Sequence, residues 1–172
     1  MNSSRRKKEE RCINISSKNK KTKVVVGTKA PLFSLPNQDG KEISLKKFLK
    51  KKIIVLFFYP KDESPGCTTE VCSFRDRYEL FTKAGAEVIG ISGDSLAAHQ
   101  RFAEKHNLPF LLLSDKDNTV RKLYGVRATL GLIPGRATFI IDKKCIIRHI
   151  FVSQFNPKKH VDEALKVITE LK

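Results

Sequence analysis

Seven consecutive apolar residues, IIVLFFY at 53–59, set the strongest limit on what this chain can fold into. The run is β-branched and aromatic and does not alternate with polar residues, which is the pattern of a strand buried on both faces. It is far shorter than the roughly 18 to 20 residues a membrane span needs. A strand covered on both faces requires layers above and below it, and the flanking sequence supplies candidates. A hairpin is expected from 33–36 to 42–45, with Asp39 and Gly40 in its turn. Helical spacing runs over 67–83 and stops at Gly85, 87–92 reads as a strand, and 95–107 reads as a helix capped by Asp94 or Ser95. Further strands are expected at 110–114, 137–142 and 146–152. Asn156 and Pro157 open a last helix on which Val161, Ala164, Leu165, Ile168 and Leu171 form one apolar stripe. This alternation implies an α/β sandwich around a mixed sheet with crossover helices.

The chain has 172 residues, about one domain, with 34 Lys plus Arg against 18 Asp plus Glu and a formal net charge of +16. Nine basic and two acidic side chains fall within 1–23, so seven of those charges sit in a Ser-, Asn- and Lys-rich segment that reads as a flexible extension of the 24–172 domain. A targeting peptide is one reading of it, although Glu9 and Glu10 fit that poorly, and a solvated tail is the other. No apolar run near the N-terminus suggests a secretory signal. Lys46, Lys47, Lys50, Lys51 and Lys52 form a basic cluster with no nucleic-acid motif beside it, and most such runs are solvated faces. Four cysteines are too few for a disulfide-built scaffold, so any disulfide here is expected to be catalytic rather than structural.

The segment 59–72, YPKDESPGCTTEVC, carries the chemistry. A buried strand ends, a Pro- and Gly-containing loop follows, and Cys67 stands where a helix begins. Unpaired N–H groups and the macrodipole at such a terminus favour a thiolate, and the thiolate is the nucleophile. Thr68 and Thr69 are candidate hydroxyl donors to it. Two readings of Cys67 stand at this point: a small buried hydrophobe, as most free cysteines are, or a nucleophile. On a helical projection Val71, Phe74, Tyr78 and Phe81 lie within about 40° of Cys67, so it faces the core, and Cys72 lies about 140° away. Five helical residues rise about 7.5 Å, too far for a disulfide without backbone movement. Zinc is not expected, because His99, His106, His149 and His160 show no paired ligand spacing, and His99 and His106 read as surface residues of one helix. Gly125, Gly131 and Gly135 do not make a phosphate loop.

At these residues the sequence resembles the peroxiredoxins, in the branch called peroxiredoxin Q or bacterioferritin comigratory protein. Pro60, Ser64 and Cys67 match the family's Pro, Thr/Ser and Cys spacing, Cys72 matches a resolving cysteine, and Arg136 in IPGRATFIID (133–142) matches a later arginine. GAEVIGISGD (85–94) and QFNPKKH (154–160) resemble the plant and cyanobacterial members, and the likeness runs over about 25–171. It implies a thioredoxin fold and reduction of hydrogen peroxide and organic hydroperoxides in antioxidant defence. Cys67 would become a sulfenic acid, and Cys72 would condense with it to a disulfide that thioredoxin reduces. Arg136 would stabilise the thiolate, Ser64 would bond thiolate and substrate, and Pro60 would shield them from water. No nucleic-acid partner is expected, because no motif for one accompanies the charge. The resemblance implies no metal, haem or flavin and a monomer. It points to the chloroplast, with cytoplasm or nucleus as the alternatives. Two other classes, a nucleic-acid binder and a redox sensor built on the cysteine pair, rest on the charge and on Cys67 and Cys72. Ser64 replaces the commoner Thr. Cys145 stands where many relatives carry a turn Gly, and it is expected to be exposed and, like Cys12, inert.

Overall fold

The computed structural model describes residues 23–171, so the basic extension expected at 1–23, with Cys12, lies outside the described residues except for Lys23. The hairpin forms as expected: β1 (Ser34–Pro36) pairs antiparallel with β2 (Glu42–Ser44). Asn37 closes its turn, its side-chain oxygen accepting from the amides of Asp39 at 3.1 Å and Lys41 at 2.8 Å. The apolar run becomes β3 (Ile53–Phe58), buried along its whole length. It is the middle strand of a five-stranded sheet ordered β5 (Leu111–Ser114), β4 (Ala86–Ser92), β3, β6 (Ala137–Ile141), β7 (Ile147–Val152). Strands β3, β4 and β5 run parallel, and β6 and β7 join antiparallel.

Side chains alternate across β3 and so divide the core in two. Ile54, Leu56 and Phe58 pack with Phe33, Ile43, Tyr124 and Phe139 on the hairpin side. Val55, Phe57 and Tyr59 face the other layer, where Phe57 stacks on Phe74 with ring centroids 4.6 Å apart. That layer is built from α1 (Pro65–Asp76), α2 (Tyr78–Lys83) and α5 (Pro157–Glu170), with Phe102 of α3 (Leu96–His106) closing it. Each such large side chain contributes about 1.5–3 kcal/mol on full burial. Ser95 caps α3 by accepting from the Ala98 amide at 3.2 Å, and Asn107 ends it in the left-handed region.

Four differences from the sequence-based expectations follow from local physics. The single helix over 67–83 is two, because Arg77 leaves helical geometry (φ −111°, ψ 9°), and the first begins at Pro65, whose fixed φ suits the first helical turn. A 3-10 turn at Leu45–Lys47 and a short helix α4 (Thr119–Leu123) are too brief to show periodicity. His99 is not on the surface: it shares the inner face of α3 with Phe102 and is fully buried. Its Nε2 donates to the Leu113 carbonyl (3.2 Å) and its Nδ1 faces Asp62 Oδ2 (2.7 Å). Cys145 is buried rather than exposed, at 2% exposure. Its φ of 67° does suit the glycine-like turn position, but the side chain folds inward and its Sγ donates to the Ala30 carbonyl at 3.5 Å.

Candidate active site

The end of β3 delivers the chain through Pro60 and the loop 61–64 to the N-terminus of α1. Ser64 is the N-cap residue in extended geometry, and Pro65 and Gly66 precede Cys67 in the first turn. Cys67 has no exposed surface and belongs to the core layer of Val71, Phe74 and Phe81, as its place on the helical projection required. Across the sheet, β6 begins immediately after Arg136, and that side chain reaches back to the helix. Its Nη2 donates to Cys67 Sγ at 3.3 Å and its Nη1 donates to Glu70 Oε2, one turn further along α1. The two segments are 69 residues apart in sequence and meet because β3 and β6 are sheet neighbours.

One glycine makes room for this contact, and a second lets the chain before Arg136 pass close against Arg127. A Cβ on Gly66 would sit 3.3 Å from Arg136 Nη2, and one on Gly135 would lie 1.9 Å from the Arg127 carbonyl oxygen, a position only glycine can hold. Burial opposes the charge on Arg136, but the Glu70 carboxyl and the Cys67 sulfur outweigh it and hold the guanidinium firmly protonated. Glu70 is fully buried, and desolvation raises its carboxyl to about 8 against the pull of Arg136. Its other oxygen, Oε1, has no hydrogen-bond partner among the described residues and lies 3.7 Å from Nδ1 of His160. His160 donates through Nε2 to the Ser153 carbonyl (2.8 Å), so Nδ1 accepts from Thr138 Oγ1 (2.9 Å). Burial lowers this imidazole to about 4 and keeps it neutral.

The remaining expected residues divide. Cys72 is half-buried on the far flank of α1, bonded to neither Cys67 nor Cys145. Ser64 stands beside the site, but its hydroxyl donates to the Lys61 carbonyl at 3.1 Å rather than to the thiol. The Thr69 hydroxyl is spent on the Pro65 carbonyl at 2.9 Å. Pro60 is half-buried at the loop entrance. Among the described residues no three His, Cys, Asp or Glu side chains converge as metal ligands.

Sequence reasoning missed Glu70, His160 and Arg121. The last is a buried arginine on α4 that donates to the carbonyls of Gly135 (2.5 Å) and Tyr59 (2.7 Å), the residues immediately before Arg136 and Pro60. It ties together the two strand ends that carry the site. Burial lowers its guanidinium, and Asp115 and Cys67 counteract that loss.

A thiol at a helix N-terminus, touched by one guanidinium and with no exposed surface, is in the kind of setting in which nucleophilic cysteines are found. The sequence matches the model of the AhpC/TSA family over residues 26–150. The chain belongs to the peroxiredoxins, in their Q branch. Peroxiredoxin Q of wheat chloroplasts is 55% identical over 150 residues, covering 87% of this chain and 69% of the relative. The chloroplastic peroxiredoxin Q of Arabidopsis thaliana is 55% identical over 147 residues, 85% of this chain and 68% of its own. The crystal structure of peroxidoxin BcpB from Mycobacterium tuberculosis superposes with a TM-score of 0.79 at 36% identity, covering 86% of this chain and 97% of that one. The peroxiredoxin is thus a thiol peroxidase with the thioredoxin fold, and the plant relatives it resembles are chloroplastic proteins.

Proposed function

We propose that the Cys67 thiolate attacks the terminal oxygen of hydrogen peroxide or an organic hydroperoxide. The O–O bond breaks, Cys67 becomes a sulfenic acid, and water or an alcohol leaves after taking one proton. The observation that carries the assignment is the 3.3 Å contact from Arg136 Nη2 to Cys67 Sγ at the first turn of α1. That donor favours the thiolate and can follow the negative charge onto the departing oxygen. Ser64 would turn its hydroxyl from Lys61 to the peroxide, and Pro60 would close the loop over it. Because Cys67 is fully buried, peroxide enters as the loop before α1 opens locally.

Cys72 then condenses with the sulfenic acid, releasing water and forming a Cys67–Cys72 disulfide. A thioredoxin reduces that disulfide by exchange. The helical spacing of the two cysteines requires the first turns of α1 to unwind for this step. No subunit partner is needed for it, which fits a monomer.

The test is peroxide turnover by the reduced protein with thioredoxin as reductant, with mass spectrometry of the oxidised product. Loss of turnover in Cys67→Ser, and a Cys67–Cys72 disulfide in the parent that is missing in Cys72→Ser, are the expected results. Undiminished turnover in Cys67→Ser would overturn the assignment.

A further inference from the structure

Cys72 is in contact with a group that the peroxide chemistry above leaves unused. Its Sγ lies 3.6 Å from Nδ1 of His106, on the last turn of α3. His106 is held at its ring and at its backbone carbonyl. Its edge packs on Phe102, with centroids 4.9 Å apart and planes at 76°, and the His106 carbonyl accepts from Arg75 Nη1 at 2.8 Å. Nε2 is buried with no hydrogen-bond partner among the described residues, so the Cys72 thiol is the polar neighbour to which this ring is directed. The charged groups around it are already committed. Arg75, on α1, also binds Asp76 through Nε at 2.9 Å, and Lys105, beside His106, is paired with Glu63 at 2.7 Å.

We propose that His106 is the acid–base partner of Cys72 in disulfide formation. This rests on the reading that Cys72 resolves the Cys67 sulfenic acid. His106 Nδ1 takes the thiol proton, leaving Cys72 as a thiolate. As the Cys67 helix turn opens, the Cys72 sulfur forms the S–S bond and the S–O bond of the sulfenic acid breaks. The departing hydroxide takes up one proton and leaves as water, so no outside reductant or oxidant enters. Cys72 supplies the electron pair of the new S–S bond and is oxidised from −2 to −1, the Cys67 sulfur is reduced from 0 to −1, and the proton that His106 took from the thiol balances the hydroxide.

The position of the pair explains why a base belongs here. The thiolate is the attacking form of a thiol, so a group that takes the proton from Cys72 speeds its attack. Cys67 has a helix terminus and Arg136, whereas Cys72 sits inside α1, away from both. A contact that merely pinned the thiol to the folded helix would have the opposite kinetic effect, because removing it would ease unwinding and speed the step.

The experiment is a single turnover of the reduced full chain with one equivalent of hydrogen peroxide. Sulfenic acid and disulfide are quantified by rapid quench and mass spectrometry in the parent, His106→Asn and His106→Gln. Both variants can still hydrogen-bond the thiol but cannot take its proton. Sulfenic acid formation should be unchanged, which also reports an intact fold. Disulfide formation should fall roughly 10- to 30-fold at pH 7 and converge with the parent near pH 9, where thiols ionise unaided. In a separate titration with excess peroxide, which supplies the second oxidising equivalent, sulfinic acid at Cys67 should form at lower doses than in the parent. Disulfide formation that is unchanged, faster, or slowed equally at every pH overturns the proposal. A parent that forms no Cys67–Cys72 disulfide overturns the reading beneath it, and the two failures are therefore distinct.

Discussion

The guanidinium of Arg136 is divided between the Cys67 sulfur, 3.3 Å from Nη2, and the Glu70 carboxyl one helical turn away on Nη1. The acid and the thiol therefore compete for one cation inside a site closed to water. A lysine there would offer a point charge and could not reach both partners with the same fixed fork. Arg136→Lys and Arg136→Met should each slow oxidation of Cys67 by roughly 100-fold, the usual consequence of removing one preorganised donor. Stopped-flow oxidation by hydrogen peroxide measures this, and an unchanged rate constant in Arg136→Met would remove the arginine from the mechanism.

Glu70 gives the site a pH dependence of defined sign. Burial raises its carboxyl from 4.5 to about 8, so the folded state binds more protons than the unfolded chain between those values. Stability from this group is fully present below about 4.5 and is lost as pH rises towards 8. His160 acts in the opposite sense, its ring being lowered from 6.5 to about 4, and its contribution is confined below 6.5. Urea unfolding between pH 6.5 and 8 should therefore show parent stability falling by up to about 1 kcal/mol per pH unit. The slope should disappear in Glu70→Gln, whose Cys67 oxidation should also lose an inflection near 8. Parallel slopes in the two proteins would mean that Glu70 is ionised throughout.

Gly66 separates stability from activity. A methyl group there would press on Arg136 Nη2 from 3.3 Å, while alanine is the better helix residue by up to about 1 kcal/mol. Gly66→Ala should hold or raise Tm and slow Cys67 oxidation several-fold. Thermal unfolding and stopped flow on the same preparation decide it. Wild-type reactivity would show that the guanidinium has room to yield.

Arg121→Met should cost about 2–4 kcal/mol, because the carbonyls of Tyr59 and Gly135 are then buried without their donor. The strand ends carrying Pro60 and Arg136 would loosen together. Peroxide reactivity should fall although Arg121 donates no hydrogen bond to Cys67. A variant with parent stability would contradict this account of α4.

Thiol accessibility should follow burial. Cys72 is half-buried and Cys145 is buried beneath the 23–30 segment, with its carbonyl accepting from the Ala30 amide at 2.8 Å. Iodoacetamide labelling of the reduced native protein, read by mass spectrometry, should modify Cys72 well before Cys145. Cys145 should react at full rate only in denaturant.

What the sequence made legible was what repeats or punctuates. The unbroken run of β3, the stripe on α5, the Asp39-Gly40 turn and the Pro-Gly entry to Cys67 each carry a local signature that tertiary contacts only reinforce. His99, Glu70, Arg121 and Cys145 carry none. Each is a polar or thiol side chain whose burial depends on a partner distant in sequence, as His99 depends on Asp62 37 residues away. Helical spacing alone cannot tell a histidine that meets a carboxylate from one that meets water. The setting of Cys67 was readable because the helix terminus it occupies is written in the local sequence. The acid that shares its arginine was not, since nothing in Glu70 itself announces that it will be buried.

The break at Arg77 has a mechanical meaning. This residue leaves helical geometry between α1 and α2, and its guanidinium is clamped to Asp162 on α5. In the cycle proposed above, part of α1 comes apart at each turnover and is rebuilt without loss of the domain. With the seam at Arg77 already cut and anchored, unwinding of α1 has a fixed boundary. Beyond it, Phe81 of α2 remains in the core and the sheet is undisturbed, so the enzyme carries its own firebreak.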